Sequence, residues 1–383
     1  MLKKSKEVVG PLQQIFLEAN KLQQEGVSVI NLGIGDPRVS ISPKIRKAAI
    51  KAVKGNINYY IPVSGSKDFL QAISDWYEKR GVEVPLSEIV AAGGSRIILD
   101  KVLQVLIKEE GDIILIPSPY YPSFVAITKA YGGKPEIIET RQDAWTLKAS
   151  RVEERILNLK KEGKSPKALI INSPNNPTGA EISRNEMIEI AKLAKKYNFW
   201  IISDECYQNF SSNPKFTFRK LYKKAIIVDS ASKTFAMTGY RVGWGLMPEE
   251  IAKLVRVKLG IHLSSFSSIS ERAALEALKG EGIKDFTKQR KIIYDWLKRL
   301  GLGVKKELAG FYVFLDCSVL FRKSGAGGSL DLARYFLNEA HVAVAPGIAF
   351  GNYDNYLRIS YCVDEKVLAK ALANLEKVIK DLL

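Results

Sequence analysis

The sequence predicts an α/β fold with two parts: a large domain built on a mostly parallel sheet covered by helices, and a smaller α+β domain. Between residues 42 and 282, short β-rich apolar runs alternate with helical stretches. Such alternation is typical of a mostly parallel sheet with helices on both faces. A chain of 383 residues also exceeds the size at which one hydrophobic core stops growing, so two domains are expected.

The large domain is predicted over residues 42–282. An apolar run at Ile89–Ala92 leads into Gly93, Gly94 and Ser95, and a helix is expected to begin near Arg96. A second helical stretch covers Ile182–Tyr197. The remaining predicted strands are short apolar runs between helical stretches, namely Asp112–Ile116, Ala168–Ile171, Phe199–Ile202 and Ala225–Val228.

The smaller domain is predicted over residues 283–383, and residues 1–41 are expected to form an N-terminal arm and part of the same domain. The pattern here changes from regular alternation to a mixture of longer helices and isolated strands. The expected elements are helices at Phe286–Arg299, Arg334–Glu339 and Glu365–Leu383 and a strand at Phe311–Leu315.

The composition excludes several classes of protein. Hydrophobic residues make up 46% of the chain and charged residues 26%, as in soluble globular proteins. No apolar run approaches the roughly 20 residues of a membrane span, and no signal-peptide apolar region follows the N-terminus, so a cytoplasmic protein without a membrane partner is expected. The net charge is +17, from 58 basic and 41 acidic residues. The basic residues are interleaved with acids along helices, which favours an ion-paired surface over nucleic-acid binding.

The cysteines and histidines do not predict a metal site. Cys206, Cys317 and Cys362 are far apart, and His262 and His341 have no neighbouring ligand at a metal-binding spacing. No bound metal is therefore expected.

Polar segments follow three of the predicted strands. They are Asn172–Gly179, Ser203–Tyr207 and the segment Asp229–Lys233. In open parallel sheets, ligands bind beyond the carboxyl ends of the strands. We therefore expect these segments to meet at one edge of the sheet and to form the functional site.

Lys233 is the most informative residue in these segments. A lysine that loses its proton forms a Schiff base with a carbonyl compound. Ser230 and Ser232 precede it and Arg241 follows it, and hydroxyls with a fixed cation suit a phosphate. Gly94 and Ser95 open a helix, whose free N–H groups also favour a phosphate. Together these residues predict pyridoxal 5′-phosphate, a phosphorylated aldehyde, although each alone also fits an ordinary surface or turn residue.

Pyridoxal phosphate needs further groups from the protein. A carboxylate must keep its ring nitrogen protonated, and Asp204 follows a buried strand where it can do so. Asn176 and Tyr207 can donate hydrogen bonds to the phenolic oxygen. Taken singly, Asp204 also fits a helix cap and Asn176 a turn.

Together these motifs resemble the class I/II aminotransferases, the fold-type I pyridoxal-phosphate enzymes related to aspartate aminotransferase. The motifs are Ser230-x-Ser232-Lys233 with Gly239–Gly243, Asn176–Gly179, and Asp204-x-x-Tyr207. The resemblance extends from Leu32–Pro37 to Leu357–Ser360, nearly the whole chain.

The resemblance implies a role for each matching residue. Lys233 is the Schiff-base lysine and proton carrier, and Asp204 pairs with the ring nitrogen. Asn176 and Tyr207 bind the phenolic oxygen. The phosphate is held by Gly94, Ser95, Ser230 and Arg241, with Tyr60 reaching it from the neighbouring subunit. Tyr121, in preference to Tyr120, stacks on the ring, and Tyr60 fits its role better than Tyr59 by its spacing from Gly65. The substrate α-carboxylate is bound by Arg358, Gly35 and Asn176.

The implied activity is amino acid:2-oxo acid transamination by a ping-pong mechanism, in a homodimer with shared active sites. Two alternatives stay open: a carbon–sulfur β-lyase that uses the same coenzyme, and a non-catalytic coenzyme-binding regulator. The amino donor is undetermined, with an aspartate/2-oxoglutarate pair or a broad donor range both possible. Arg38, near Gly35, either binds an acidic side chain or is a solvated loop arginine, and the second interpretation is favoured.

Overall fold

A computed structural model describes residues 9–212, 216–302 and 309–383 of the chain. The chain divides into two units. Residues up to Gly35 together with Phe286–Leu383 form the small unit, and Asp36–Asp285 form the large unit. The boundaries expected from the sequence, after residues 41 and 282, differ from these by a few residues. Residues 1–8 of the expected N-terminal arm lie outside the described residues.

The helices and strands of the described residues are numbered in chain order. The helices are α1 (Pro11–Gln24), α2 (Pro43–Lys54), α3 (Lys67–Glu78), α4 (Ser95–Leu106), α5 (Pro122–Ala130), α6 (Ala149–Lys161), α7 (Arg184–Tyr197), α8 (Ala231–Thr234), α9 (Glu249–His262), α10 (Ser268–Ala277), α11 (Thr287–Arg299), α12 (Phe321–Ser324), α13 (Ser329–Ala340) and α14 (Glu365–Leu382). The strands are β1 (Ile30–Asn31), β2 (Ile89–Ala92), β3 (Ile113–Ser118), β4 (Lys134–Glu139), β5 (Pro166–Asn172), β6 (Trp200–Asp204), β7 (Ala225–Ser230), β8 (Gly243–Leu246), β9 (Tyr312–Asp316), β10 (Val342–Ala343), β11 (Ala345–Pro346) and β12 (Tyr356–Ser360).

The large unit is built on a seven-stranded sheet of order β2-β8-β7-β6-β5-β3-β4. Strands β3 to β7 run parallel, and β8 is antiparallel to both of its neighbours, β7 and β2. Strand β2 therefore runs in the same direction as β7, and its last residue lies at the carboxyl edge of the sheet. The predicted α/β fold with a mostly parallel sheet is confirmed.

Helices cover both faces of this sheet because alternate residues of each strand face opposite cores. On β7, Ile227 belongs to the core beneath α3 and α10, whereas Ile226 and Val228 belong to the core beneath α4 and α9. Every residue of β2, β7 and β8 is buried. A strand buried on both faces is expected to be apolar throughout, which is why these strands appear as continuous apolar runs rather than alternating ones.

Two strands of the large sheet, β4 and β8, were not predicted from the sequence. β8 contains Gly243 and Gly245, and glycine weakens the pattern by which a strand is recognised. A Cβ atom on Gly245 would lie 2.6 Å from Ile98 Cγ2, so glycine permits the close packing of α4 on this strand.

The small unit has α+β character. Strand β1 pairs in parallel with β10, which joins the N-terminal segment to the C-terminal one, and β11, β12 and β9 form an antiparallel sheet. Arg334 of α13 donates a 2.9 Å hydrogen bond to Glu18 of α1. No helix among the described residues is long and apolar enough to cross a membrane.

Candidate active site

The carboxyl ends of β5, β6 and β7 bring the first group of predicted residues together. Asn172 is paired with Asp204, and Asp204 with Val228, so these strands end at the same edge. The Asn172 amide donates to the Asp204 carbonyl at 3.1 Å and accepts from the Asn176 N–H at 2.7 Å. The Asn172 side chain therefore links the loop that carries Asn176 to the strand that carries Asp204.

Asp204 is the last residue of β6 and is partly buried. Its Oδ1 accepts a 3.2 Å hydrogen bond from the Cys206 N–H. Burial raises the pKa of the Asp204 carboxyl, and the hydrogen bonds from Cys206 and the charge of Lys233 act in the opposite direction. Lys233 is therefore close enough to interact electrostatically with Asp204, as the sequence analysis requires.

Lys233 lies on α8, a single helical turn directly after β7. The Ala231 N–H donates to the Val242 carbonyl at 3.1 Å, which holds this turn against the segment preceding β8. Ser232 and Thr234 are buried, whereas Lys233 is only partly buried. The residues on both sides of Lys233 are therefore packed into the protein, whereas the Lys233 side chain remains partly exposed.

The phosphate-binding residues expected at the start of α4 lie beside Arg241. Gly94 has φ of +116°, a conformation that other residues rarely adopt, and a Cβ atom there would lie 2.5 Å from Arg241 Nη2. Arg241 donates to the Thr238 carbonyl at 2.9 Å and is exposed. An exposed guanidinium thus stands beside the helix N-terminus, whose N–H groups favour an anion.

Ser95, which begins α4 shortly after β2, and Ser230, which ends β7, lie close together because Gly243 is paired with both Ala92 and Ser230. Between the serines lies Cys206, whose Sγ is 3.5 Å from Ser230 Oγ. Burial raises the pKa of the Cys206 thiol well above its ordinary value, while hydrogen bonds with Ser95 and Ser230 oppose that shift. Cys206 was not predicted as a site residue from the sequence, although it lies within the Asp204–Tyr207 motif.

Tyr121 directly precedes α5 and contacts Arg96, a residue not predicted for the site from the sequence. Arg96 donates a hydrogen bond to the Tyr121 hydroxyl, and its Cζ lies 5.4 Å from the centre of the Tyr121 ring. The exposed Arg96 follows Ser95 at the start of α4. It therefore places a second cation near the anion-favouring helix end.

The two remaining tyrosines that the sequence predicted for the site, Tyr207 and Tyr60, differ in exposure. Tyr207 is 6% exposed and follows β6, next to Cys206, whereas Tyr60 is 80% exposed. The segment around Tyr60 is held by Ser265 and Ser268, which hydrogen-bond to the Ile61 N–H and the Ile57 carbonyl. Tyr60 therefore projects from an anchored segment.

The large unit fits the pyridoxal phosphate expected from the sequence. Its anion site combines a helix N-terminus, two hydroxyls and a guanidinium, which matches a phosphate in charge and hydrogen bonding. A Cβ atom on Gly94 would collide with Arg241 Nη2, and one on Gly243 with the backbone of Gly94 and Ser95, so both glycines are needed for the close packing of these residues around the site. The carboxyl group of Asp204, with its pKa raised by burial, is stabilised in its ionised form by any cation placed against it, such as a protonated ring nitrogen.

In the small unit, Arg358 lies at the centre of β12 and is 3% exposed. Its Nη2 donates to the Gly33 carbonyl at 2.5 Å, and its Cζ lies 4.6 Å from the Tyr312 ring centre and 4.8 Å from that of Phe350. A Cβ atom on Gly35 would collide with the Tyr312 hydroxyl, so the Gly33–Gly35 backbone approaches the same aromatic ring. The guanidinium plane is therefore held rigidly, as bidentate carboxylate binding requires.

Comparisons with known proteins agree with this geometry. The family model described as "Aminotransferase class I and II" matches residues 27–375. The chain is 32% identical to a probable aspartate/prephenate aminotransferase of Aquifex aeolicus, over 97% of this chain and 96% of that protein. It is 30% identical to the aspartate aminotransferase of Pyrococcus horikoshii, over 99% and 96% of the two chains.

A solved structure gives the same result in three dimensions. The aspartate aminotransferase of Thermus thermophilus with maleate superposes with a TM-score of 0.87 at 28% identity, over 96% of both chains. Aspartate aminotransferase-like enzymes of this family depend on pyridoxal phosphate. The chain belongs to the class I and II aminotransferases.

Proposed function

We propose that this aminotransferase moves an amino group between an amino acid and a 2-oxo acid by a ping-pong mechanism, with Lys233 as the coenzyme-binding and proton-carrying residue. The observation that carries the proposal is the convergence of Lys233, Asp204 and the anion site at one edge of the large sheet. A lysine, a carboxylate and a phosphate site in this arrangement correspond to the three fixed points of pyridoxal phosphate.

Each residue has a separate task in the mechanism. When bound, the coenzyme supplies an electron-accepting ring that stabilises negative charge at the substrate α-carbon. Asp204 holds the proton at the ring nitrogen, and Asn176 and Tyr207 donate hydrogen bonds to the phenolic oxygen. Lys233 Nζ would accept the proton from the substrate α-carbon and later release it, acting first as base and then as acid. Tyr121 packs on the ring.

The phosphate is bound by the N–H groups at the start of α4 together with Gly94, Ser95, Ser230 and Arg241. We further propose that Arg358, with Gly35 and Asn176, binds the α-carboxylate of the substrate. Support comes from the burial of Arg358 and its contacts with Gly33 and Tyr312.

We favour an acidic amino acid and 2-oxoglutarate as the substrate pair, with a broader donor range as the alternative. The similar proteins from Aquifex aeolicus and Pyrococcus horikoshii are named for aspartate, and the Thermus thermophilus enzyme is named with maleate, a dicarboxylate. Arg38 does not add strong support for an acidic substrate, because its side chain is 55% exposed and its Nε already lies 3.5 Å from Asp36 Oδ2.

A panel of amino donors assayed against 2-oxoglutarate, with added pyridoxal phosphate, tests the function. We expect transfer from at least one acidic donor and parallel double-reciprocal plots. Lys233→Ala should lower kcat at least a hundredfold, the size expected for loss of a general base. The control is Lys253→Ala, since Lys253 is 68% exposed and pairs with Glu249 at 2.8 Å on the surface.

Four results would contradict the proposal. Transfer from no amino acid in the panel would reject it, as would equal activity of Lys233→Ala and Lys253→Ala. Release of pyruvate and ammonia from cystathionine, without transamination, would instead identify the carbon–sulfur β-lyase. Coenzyme binding without turnover of any kind would identify the non-catalytic regulator.

We also propose a homodimer in which Tyr60 contacts the coenzyme phosphate of the partner. Tyr59 and Tyr60 are 60% and 80% exposed, and α9 carries an exposed apolar stripe formed by Leu254, Val257 and Ile261. These three residues share a helix face, and burying such a stripe against a second copy is favourable. Light scattering should give twice the chain mass, whereas a fully active monomer at high dilution would contradict the proposal. The cytoplasmic location stays a prediction.

A further inference from the structure

Two buried carboxyl groups lie beside the proposed coenzyme residues and have no task in the mechanism. Glu205 follows Asp204 and is 3% exposed, and Asp229 precedes Ser230 and is 1% exposed. The Glu205 N–H donates to the Val228 carbonyl at 2.8 Å, so Glu205 lies against the strand that carries Asp229. Two acids are therefore buried close to each other at the active edge of the sheet.

The two carboxyl groups differ in how completely their oxygens are hydrogen-bonded. Glu205 Oε1 accepts from Thr217 Oγ1 at 2.6 Å and from Ser203 Oγ at 3.1 Å. Glu205 Oε2 is buried and has no hydrogen-bond partner among residues 9–212, 216–302 and 309–383. Asp229 accepts from the Tyr77 hydroxyl at 3.1 Å and from the Ser230 N–H at 2.7 Å. A buried carboxylate oxygen without a donor is costly, so the structure favours a protonated Glu205.

Arg80 is the cation that faces both acids. It is 9% exposed, and its Cζ lies 4.6 Å from the ring centre of Trp76. Its charge lowers the pKa of both Glu205 and Asp229. One buried cation cannot compensate two ionised acids, and this leaves one proton to be held by the pair at neutral pH.

A hydrogen-bonded chain connects Arg80 to the residue beside the proposed coenzyme lysine. Arg80 Nη2 donates to Asn209 Oδ1 at 2.7 Å, and Asn209 Nδ2 donates to Thr234 Oγ1 at 2.6 Å. Thr234 follows Lys233 on α8. This chain links Arg80, whose charge acts on both acids, to the turn that carries Lys233.

We propose that Arg80, Glu205 and Asp229 form a positioning group that sets the electrostatic potential at Asp204 and Lys233, with Glu205 as its titrating member. The inference rests on the proposed role of Lys233. Burial raises the pKa of Glu205 to about 8 and that of Asp229 to about 7. When Glu205 ionises, a negative charge appears next to Asp204 and favours the protonated form at Lys233.

The titratable groups that interact with Glu205 come from several elements. Tyr77 and Arg80 act on it from α3 and the residues after it, and Asp229 acts on it from β7. Asp204, at the end of β6, acts on Asp229. Asp229 raises the pKa of Glu205 and Arg80 lowers it. Glu205 has an oxygen without a hydrogen-bond donor among the described residues, whereas both oxygens of Asp229 accept hydrogen bonds, so Glu205 is the acid that ionises last as the pH rises.

The test is a pH titration, from about pH 5 to 10, of the visible absorption of pyridoxal phosphate bound to the full-length protein. In Glu205→Gln, the negative charge that Glu205 carries when ionised no longer forms. The apparent midpoint of the absorption titration should therefore fall by about one pH unit, and the step near pH 8 that arises from ionisation of Glu205 should disappear. Thr217→Val should move that step to higher pH, since it removes a hydrogen bond that favours ionised Glu205.

Glu271→Gln is the matched control, because Glu271 is a glutamate of the same unit that is 0% exposed and accepts from the Ser66 N–H at 2.9 Å. Its curve should coincide with that of the wild type. The inference is overturned if Glu205→Gln and Thr217→Val also coincide with the wild type, or if Glu271→Gln shifts the midpoint as much as Glu205→Gln. A protein that shows these shifts but transfers no amino group would reject the proposed function and leave the positioning group intact.

Discussion

Gly243 offers a sharp test of how the phosphate site is built. It is the first residue of β8 and lies between Ala92 and Ser230 at the edge of the sheet. In Gly243→Ala, the new Cβ would lie 2.5 Å from Gly94 C and 2.9 Å from Gly94 Cα, and closer still to Ser95 N. These are backbone atoms, so no side chain can rotate away and the start of α4 must move.

The size of the effect follows from two contributions. Overpacking against rigid structure costs about 1–3 kcal/mol of the free energy of unfolding. Displacing the Ser95 N–H also weakens a hydrogen bond to a charged phosphate, worth roughly 1.5–3 kcal/mol. The second contribution corresponds to coenzyme binding weakened by about 10- to 150-fold.

Both contributions can be measured on the full chain. Urea unfolding monitored by tryptophan fluorescence gives the first, and titration of the coenzyme-free protein with pyridoxal phosphate gives the second. The control is Gly239→Ala, four residues earlier, where a Cβ atom would meet nothing within 4 Å. If Gly243→Ala matches Gly239→Ala in stability and in coenzyme affinity, the close approach of β8 to α4 does not shape the phosphate site.

Three further predictions concern charged side chains. Arg38→Ala should leave the ranking of amino donors unchanged, because Arg38 is 55% exposed and its pair with Asp36 is a surface salt bridge worth at most about 1 kcal/mol; selective loss of acidic donors in the panel would show that Arg38 reads the substrate side chain. Arg358→Lys should raise KM for the amino donor at least tenfold while the coenzyme still binds with its normal spectrum, since a lysine cannot form two parallel bonds to a carboxylate; an unchanged KM would remove Arg358 from substrate binding. The folded-state pKa of Glu205, about 8, lies above its ordinary 4.5, so its contribution to stability is complete below about pH 4.5 and is lost as the pH rises towards 8. Glu205→Gln lacks this loss, and its free energy of unfolding should therefore rise relative to the wild type by on the order of 1 kcal/mol per pH unit across that window; parallel stability curves for the two proteins would contradict the buried titration.

Much of the fold could be predicted because the central strands are buried on both faces. Strands β5, β6 and β7 are nearly uninterrupted apolar runs, and each ends in polar residues that the sequence displays plainly. β8 escaped prediction because its glycines are required by the close approach of α4, a contact that no local pattern encodes. Strand β4, at the edge of the sheet, was also missed, and five of its six residues are partly or fully exposed.

The residues of the candidate site also divide into those that could be predicted from the sequence and those that could not. Lys233, Asp204, Asn176 and Arg241 were chosen from their residue types and from their places after strands. Cys206 and Arg96 were not, because a thiol between two serines and a guanidinium over Tyr121 become visible only when the ends of β2, β6 and β7 lie at the same edge of the sheet. Their contacts join residues that are far apart in the chain.

The sequence by itself determined the alternation of strands and helices in the large unit, the polar residues at the ends of β5, β6 and β7 and, through the spacing of its motifs, the family. Those properties are local, since apolar runs and motifs are read along the chain. Only the tertiary structure decided that Arg80, Glu205 and Asp229 share one buried environment. Arg80 lies 125 residues before Glu205 in the numbering, and the cost of burying charge depends on which groups the fold brings together rather than on which groups are neighbours in sequence.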